Sequence, residues 1–175
     1  MSALTSVVSQ LEPGDELLVD RNVDGDMGSE ARNRLLRKAT GSHLVFLDDD
    51  DEFTRGGLER MRRFADTNPD RIGIFRMRLP SGDLIWREPV FEYGCVGSPT
   101  MIVPNRYGEL GSWRQTSLGN DWNFLEETVR LQGAEPIFVD EVVAALRRSG
   151  EFASSLDALR YRLQLGVRVR RFLRR

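Results

Sequence analysis

The sequence holds one cysteine, Cys95, one histidine, His43, and one lysine, Lys38. A single thiol excludes an intramolecular disulfide and any CxxC metal site. A single imidazole argues against a His-rich zinc centre and against Ser-His-Asp catalysis. With so little cysteine, a reducing, cytoplasmic setting fits best. Long apolar runs are also missing: the longest span a few residues, such as Leu44-Val45-Phe46-Leu47. No transmembrane helix is expected from runs that short. No apolar stretch follows the N-terminus, so no signal peptide is expected either. The chain has no internal repeat and no low-complexity segment.

What is there is an ordinary globular mixture: 175 residues, 40% hydrophobic and 30% charged, enough for one domain with a sizeable core. The net charge is only −2, but it is unevenly spread. From Arg147 to Arg175 nine arginines face only Glu151 and Asp157, a local +7 that leaves −9 on the rest. An acidic body argues against nucleic acid as a partner.

Strand and helix patterns alternate, which predicts an α/β domain over residues 1–150, followed by a basic segment over 151–175. A short helix is expected at 3–10, then a buried strand at 16–19 and a glycine-punctuated polar loop at 20–28. Ala31, Leu35 and Ala39 lie on one face of a predicted helix from 29 to 39, with Ser29 as its N-cap. A second apolar strand at 43–47 runs into four aspartates, and Thr54 can cap the helix after them. A hairpin is expected from 72–79 and 84–87, a short strand at 100–103, a helix at 121–131 and two short strands at 137–139 and 142–146. Residues 155–175 read as a basic helix, with Leu156, Leu159, Leu163, Val167 and Phe172 among the arginines. That helix suits packing on the body, a homodimer contact, or peripheral contact with an anionic membrane surface.

Three constellations could carry chemistry. The first is Phe46-Leu47-Asp48-Asp49-Asp50-Asp51, an apolar strand that delivers carboxylates to its C-terminal end. Ligands of open α/β sheets sit at that end. Adjacent carboxylates repel, and a hard cation such as Mg²⁺ or Mn²⁺ relieves the repulsion. Alternation along an extended chain makes Asp48 and Asp50 the chelating pair; a solvated acidic loop fits the run equally well. The second constellation is the helix start at Ser29–Asn33, where backbone N–H groups favour an anion and Arg32 adds a fork for phosphate oxygens. Arg32 and Asp48 lie sixteen residues apart, and together they describe a site for a metal–diphosphate. The third is Asp121 at a helix start in Gly119-Asn120-Asp121-Trp122, either a first-turn acid or a general base. His43 and Cys95 read as structural. Trp86 and Trp113 read either as core or as platforms for a sugar ring, and Trp122 as core.

The order and spacing of these blocks resemble the family 2 glycosyltransferases, which have the GT-A fold. Leu17-Leu18-Val19-Asp20 is similar to the family's strand ending in an Asp-rich turn. Gly28 to Asp51, with Ala31-Arg32-Asn33, Gly41 and Phe46-Leu47-Asp48-Asp49-Asp50-Asp51, is similar to its ARN…G…FLDxDD segment. Gly119-Asn120-Asp121-Trp122 is similar to its Asp-Trp segment. Arg21 replaces the second acid of the first turn, and Asn120 replaces the acid usual before Asp121. The family's opening nucleotide-binding strand has no counterpart here, so the expectation is an N-terminally truncated, minimal GT-A-like mixed sheet flanked by helices.

The resemblance implies a metal-dependent, inverting glycosyltransferase that uses a nucleoside-diphosphate sugar, a divalent cation and an acceptor with a free hydroxyl. It places Asp20 at the base or ribose, and Arg32 and Asn33 near the donor diphosphate. Asp48 and Asp49 would face the nucleotide-sugar, Asp48 and Asp50 the metal, and Gly97–Thr100 the donor sugar or acceptor. Asp121 would be the catalytic base. A catalytically inactive binding or assembly module that kept the fold is the alternative.

Overall fold

A computed structural model describes residues 3–21, 26, 28–114, 119–146 and 163–169. The elements in chain order are α1 (Ala3–Val8), β1 (Glu16–Arg21), α2 (Ser29–Lys38), β2 (His43–Asp48), β3 (Asp51–Phe53), α3 (Gly57–Thr67), β4 (Gly73–Arg78), β5 (Met101–Pro104), α4 (Asn120–Gln132), β6 (Ile137–Leu146) and β7 (Leu163–Val169), with a 3₁₀ turn at Ser98–Thr100 before β5. The seven strands form one sheet in the order β1-β7-β2-β5-β4-β6-β3. β1, β2, β4 and β6 run one way and β3, β5 and β7 the other.

Period-two alternation splits the apolar side chains of the sheet between its faces. Val45 and Leu47 of β2, with Phe75 and Met77 of β4, pack under Val7 of α1 and Leu58, Met61 and Phe64 of α3. Leu44 and Phe46 of β2, with Ile74, Met101 and Val103, pack on the other face against Trp113 and against Trp122, Phe124 and Leu125 of α4. Leu36 of α2 and its C-cap residue Ala39 close that second cluster. The result is a helix–sheet–helix sandwich in which β2, an interior strand, is buried on both sides.

Several expectations shift for identifiable reasons. Ser29 lies inside α2 and is not its cap: Gly28, at φ 81°, holds that position, and the Asp26 carboxylate accepts the N–H groups of Gly28 and Glu30 at 3.1 and 2.6 Å. Thr54 does not cap α3 either. Its hydroxyl donates to the Val142 carbonyl at 3.1 Å, and Gly56 in the left-handed region starts the helix. The hairpin shrinks to a single bridge between Arg78 and Leu84. Trp86 takes φ 51° and donates its indole N–H to the Phe75 carbonyl, which ends the extended run. The two short strands expected near the C-terminus are one, β6, with irregular register against β4 around Phe75 and Arg76.

The largest difference lies in the basic segment. Where a helix is expected over 155–175, residues 163–169 form β7; 155–162 and 170–175 lie outside the described residues. The local sequence accounts for it: Leu163, Leu165, Val167 and Val169 alternate with Gln164, Gly166 and Arg168, a strand period. β7 lies antiparallel between β1 and β2, pairing Leu17 with Val167 on one side and Val45 with Val167 on the other. A proline at a strand position flanked on both sides removes a ladder hydrogen bond. Val167→Pro is therefore expected to speed amide exchange in β1 and β2 while exchange in β4 and β5 stays slow. Unchanged exchange at Leu17, Leu18 and Val19 would show that β7 does not hold β1.

Candidate active site at the carboxylate end of the sheet

β2 carries Asp48 to the C-terminal end of the sheet, as its apolar run predicts. The chain then turns at Asp49–Asp50 and enters β3 with Asp51. Because residues 49 and 50 form a turn and not an extended strand, three carboxylates gather instead of an alternating pair. Oxygens of Asp48, Asp50 and Asp51 lie within 4.8 Å of one another. Asp50 is exposed, Asp48 half-buried and Asp51 buried. A set of hard oxygen donors, graded from buried to open, suits a divalent cation of the Mg²⁺ or Mn²⁺ type.

Arg32 faces this set from the first turn of α2. Its side chain is only 5% exposed. One terminal nitrogen donates to Asp48 Oδ1 at 2.5 Å and to Ser98 Oγ at 3.2 Å. The guanidinium lies 4.4 Å from the ring centre of Trp113, which stacks in turn on Phe124. The cation is therefore held from below by an aromatic face and from above by a carboxylate.

Asp121 enters from the first turn of α4. Its Oδ1 accepts the Ser98 hydroxyl at 2.6 Å, and the same hydroxyl lies 3.1 Å from Asp48 Oδ2. Burial pushes the Asp121 carboxyl up to about 6, and the charge of Asp48 pushes the same way. Arg32 and the hydrogen bonds from Ser98 pull against them. The outcome is a carboxyl that exchanges its proton near neutral pH, as a general base requires.

Of the residues singled out in the sequence, Arg32, Asp48 and Asp121 converge on this cluster, with Asp50 at its open side. Asp49 is half-buried in the turn between β2 and β3. Asp20 ends β1 and accepts from Arg34 Nε at 2.8 Å. Asp20 and Asp48 both stand in register with Gln164 of β7, two strand spacings or roughly 10 Å apart along the edge. Asn33 is engaged elsewhere: its amide donates to the Trp113 carbonyl and accepts the Trp113 N–H, at 2.9 and 3.0 Å. Trp86 and Trp113 are both core. Sequence reasoning missed Ser98 as the hub and Asp51 as the third carboxylate. Asp51 stood in plain view in the acidic run, whereas only tertiary folding reveals Ser98.

The family model "Glycosyl transferase family 2" matches residues 5–148. Among solved structures, the crystal structure of S. aureus TarS superposes with a TM-score of 0.54 at 18% identity, covering 74% of this chain and 26% of that one. The chain thus spans about a quarter of TarS, and the likeness establishes a GT-A-like fold. No curated protein matches the chain. No helix among the described residues is long and apolar enough to cross a membrane.

Two outcomes follow from the electrostatics. Arg32→Ala leaves the half-buried Asp48 and its neighbour Asp121 without their cation; a fully buried pair broken this way costs about 3–5 kcal/mol, and the partial exposure of Asp48 puts the loss at or below the low end of that range. Urea unfolding of the variant should show a loss of that order; a wild-type curve would mean the pair holds nothing. The second concerns Asp121, whose pKa is raised on folding, so that the folded state keeps a proton the unfolded state has already released. The Asp121 contribution to wild-type stability therefore falls as pH rises from about 4 to about 6 and is flat above that. Asp121→Asn lacks the effect. Its stability relative to wild type should grow across that window, and a pH-independent difference would contradict the raised pKa.

Proposed function

Because the chain belongs to glycosyl transferase family 2, we propose that it moves a sugar from a nucleoside-diphosphate sugar to an acceptor hydroxyl, with inversion at the anomeric carbon. The observation that carries this reading is the convergence of Arg32, Asp48 and Asp121 on one buried hydroxyl at the C-terminal end of the sheet. That convergence supports reading Asp121 as a carboxylate base beside a set of oxygen donors fit for a cation, the two parts a metal-assisted inverting transfer uses.

Asp121 takes the proton of the acceptor hydroxyl as that oxygen attacks the anomeric carbon. Above pH 6 it is ionised and ready to accept. The departing nucleoside diphosphate leaves from the opposite face of the sugar ring. Asp48 and Asp50, joined by Asp51, would hold a Mg²⁺ or Mn²⁺ ion, which when bound supplies positive charge to the leaving diphosphate. Asp49 faces the nucleotide-sugar from the same turn, and Asp20, at the end of β1, serves the base or ribose. Arg32 serves the donor side through Asp48, whose carboxylate it holds, and Asn33 through Trp113, the ring beneath that guanidinium.

The test pairs binding with turnover. Thermal unfolding against nucleoside diphosphates and nucleotide-sugars, with and without Mn²⁺, should give a metal-dependent rise for one base. A ligand at about 100 times its Kd stabilises by ~2.7 kcal/mol. Asp50→Ala should lose that rise. Asp121→Asn should keep it and lose sugar transfer by roughly 10²- to 10⁴-fold. Donor binding with no transfer to any acceptor would point to a binding module that kept the fold.

A further inference from the structure

We propose that Ser98 is the positioning residue that sets the orientation of the Asp121 carboxylate, an inference that rests on reading Asp121 as the base. Ser98 is 2% exposed, and its hydroxyl has three polar neighbours: Asp121 Oδ1 at 2.6 Å, Asp48 Oδ2 at 3.1 Å and an Arg32 nitrogen at 3.2 Å. A serine hydroxyl has one hydrogen to give and lone pairs to receive. Arg32 has only hydrogens to give, so it donates into the Ser98 oxygen. The single Ser98 hydrogen then serves one carboxylate at a time. The 2.6 Å separation assigns it to Asp121, because that is the length of a hydroxyl bond to an ionised oxygen.

The main-chain N–H of Ser98 also favours the ionised form of the Asp121 carboxylate. The short hydroxyl bond holds one carboxylate oxygen in place and restricts rotation about the Cβ–Cγ bond of Asp121. The oxygen positions left over for an acceptor proton are then fixed in direction. The grip is itself rigid. Thr100 Oγ1 accepts the Gly97 N–H at 3.1 Å and donates to the Gly97 carbonyl at 2.8 Å, closing the turn that presents Ser98. Pro99 stands between them in the same turn, and Ser98, Pro99 and Thr100 are all buried. A preorganised support of this kind keeps a base within the narrow geometry that proton transfer requires.

At 2% exposure Ser98 acts through Asp121 and does not itself meet the donor sugar or acceptor, as Gly97–Thr100 was expected to, so its loss should change turnover and not donor binding. Ser98→Ala is expected to lower kcat by at least 10-fold, with donor KM and the Mn²⁺-dependent thermal rise unchanged. The midpoint of the pH–rate profile should move upward, because the carboxylate form of Asp121 loses a donated hydrogen bond. Arg32 and Asp48, the other charges facing Asp121, remain in the variant. Ser98→Thr keeps the hydroxyl and should recover most of the rate and the wild-type midpoint. Ser98→Cys, close to serine in size and a poor donor, should behave as Ser98→Ala does, and stands in for it if the alanine variant does not fold. Wild-type kcat and midpoint in both Ser98→Ala and Ser98→Cys, alongside an inactive Asp121→Asn, would overturn the role of Ser98 and leave the base in place. An Asp121→Asn variant as active as wild type would overturn the base itself, and the positioning role with it.

Discussion

A guanidinium buried between an indole ring and a carboxylate is the interaction on which the acidic end of this sheet depends. Asp48, Asp50 and Asp51 come within a few ångströms of each other, and Asp121 meets Asp48 across the Ser98 hydroxyl. Carboxyl groups this close repel one another in a partly dry environment. Arg32 supplies the compensating charge, and it does so from within the core, 5% exposed and supported by Trp113. Arginine suits the position where lysine would not: its planar fork can reach Asp48 and Ser98 together while its face lies on an aromatic ring. The Phe46–Trp113–Phe124 stack therefore does more than fill volume. It sets the floor under the cation, which in turn favours the ionised form of Asp121.

The same arrangement explains a division of labour among neighbours in sequence. Arg32 and Asn33 are adjacent on α2, yet one points to the acids and the other clasps the backbone of Trp113. Asn33 thus fixes the ring on which Arg32 rests. Arg34, the next residue, reaches Asp20 at the end of β1. Three consecutive side chains of one helix turn tie together the loop before α4, the end of β2 and the end of β1. A short motif read as a phosphate-binding helix start is, in the folded chain, also the joint that aligns three separate elements.

How much of this was legible beforehand depends on the range of the interactions. The apolar run from Leu44 to Leu47 followed by aspartates announced a buried strand ending in a polar site, because both signals are local. The first turns of α2 and α4 were also readable from helix periodicity, which put Arg32 and Asp121 at helix starts. The turn at Asp49–Asp50 was not readable, since an acidic run carries no alternation to reveal where the strand ends; Asp51 was therefore overlooked. Ser98 was named only as part of Gly97–Thr100, through the family resemblance, and its role as a hub had no local signal: it lies 66 residues from Arg32, 50 from Asp48 and 23 from Asp121. Residues 163–169 carried a strand period in full view, but the arginines around them suggested an amphipathic helix. Heptad-like spacing of Leu and Val over a longer window outweighed a clean alternation over seven residues.

The position of β7 has a consequence for the order in which the molecule can be completed. Among the described residues β1 pairs with no strand except β7, yet the two stand at opposite ends of the described chain. A ribosome adding about 5–20 residues per second releases β1 on the order of ten seconds before β7 exists. Throughout that interval β1 and the facing side of β2 are open edges, the kind of surface that invites pairing with another chain. The acids of β2 can already meet Arg32 across α2, but Asp20 has no strand linking it to them. The edge that carries Asp20 is the last part of the sheet to be fastened, and a nascent chain stalled before residue 163 would display both open edges to its neighbours.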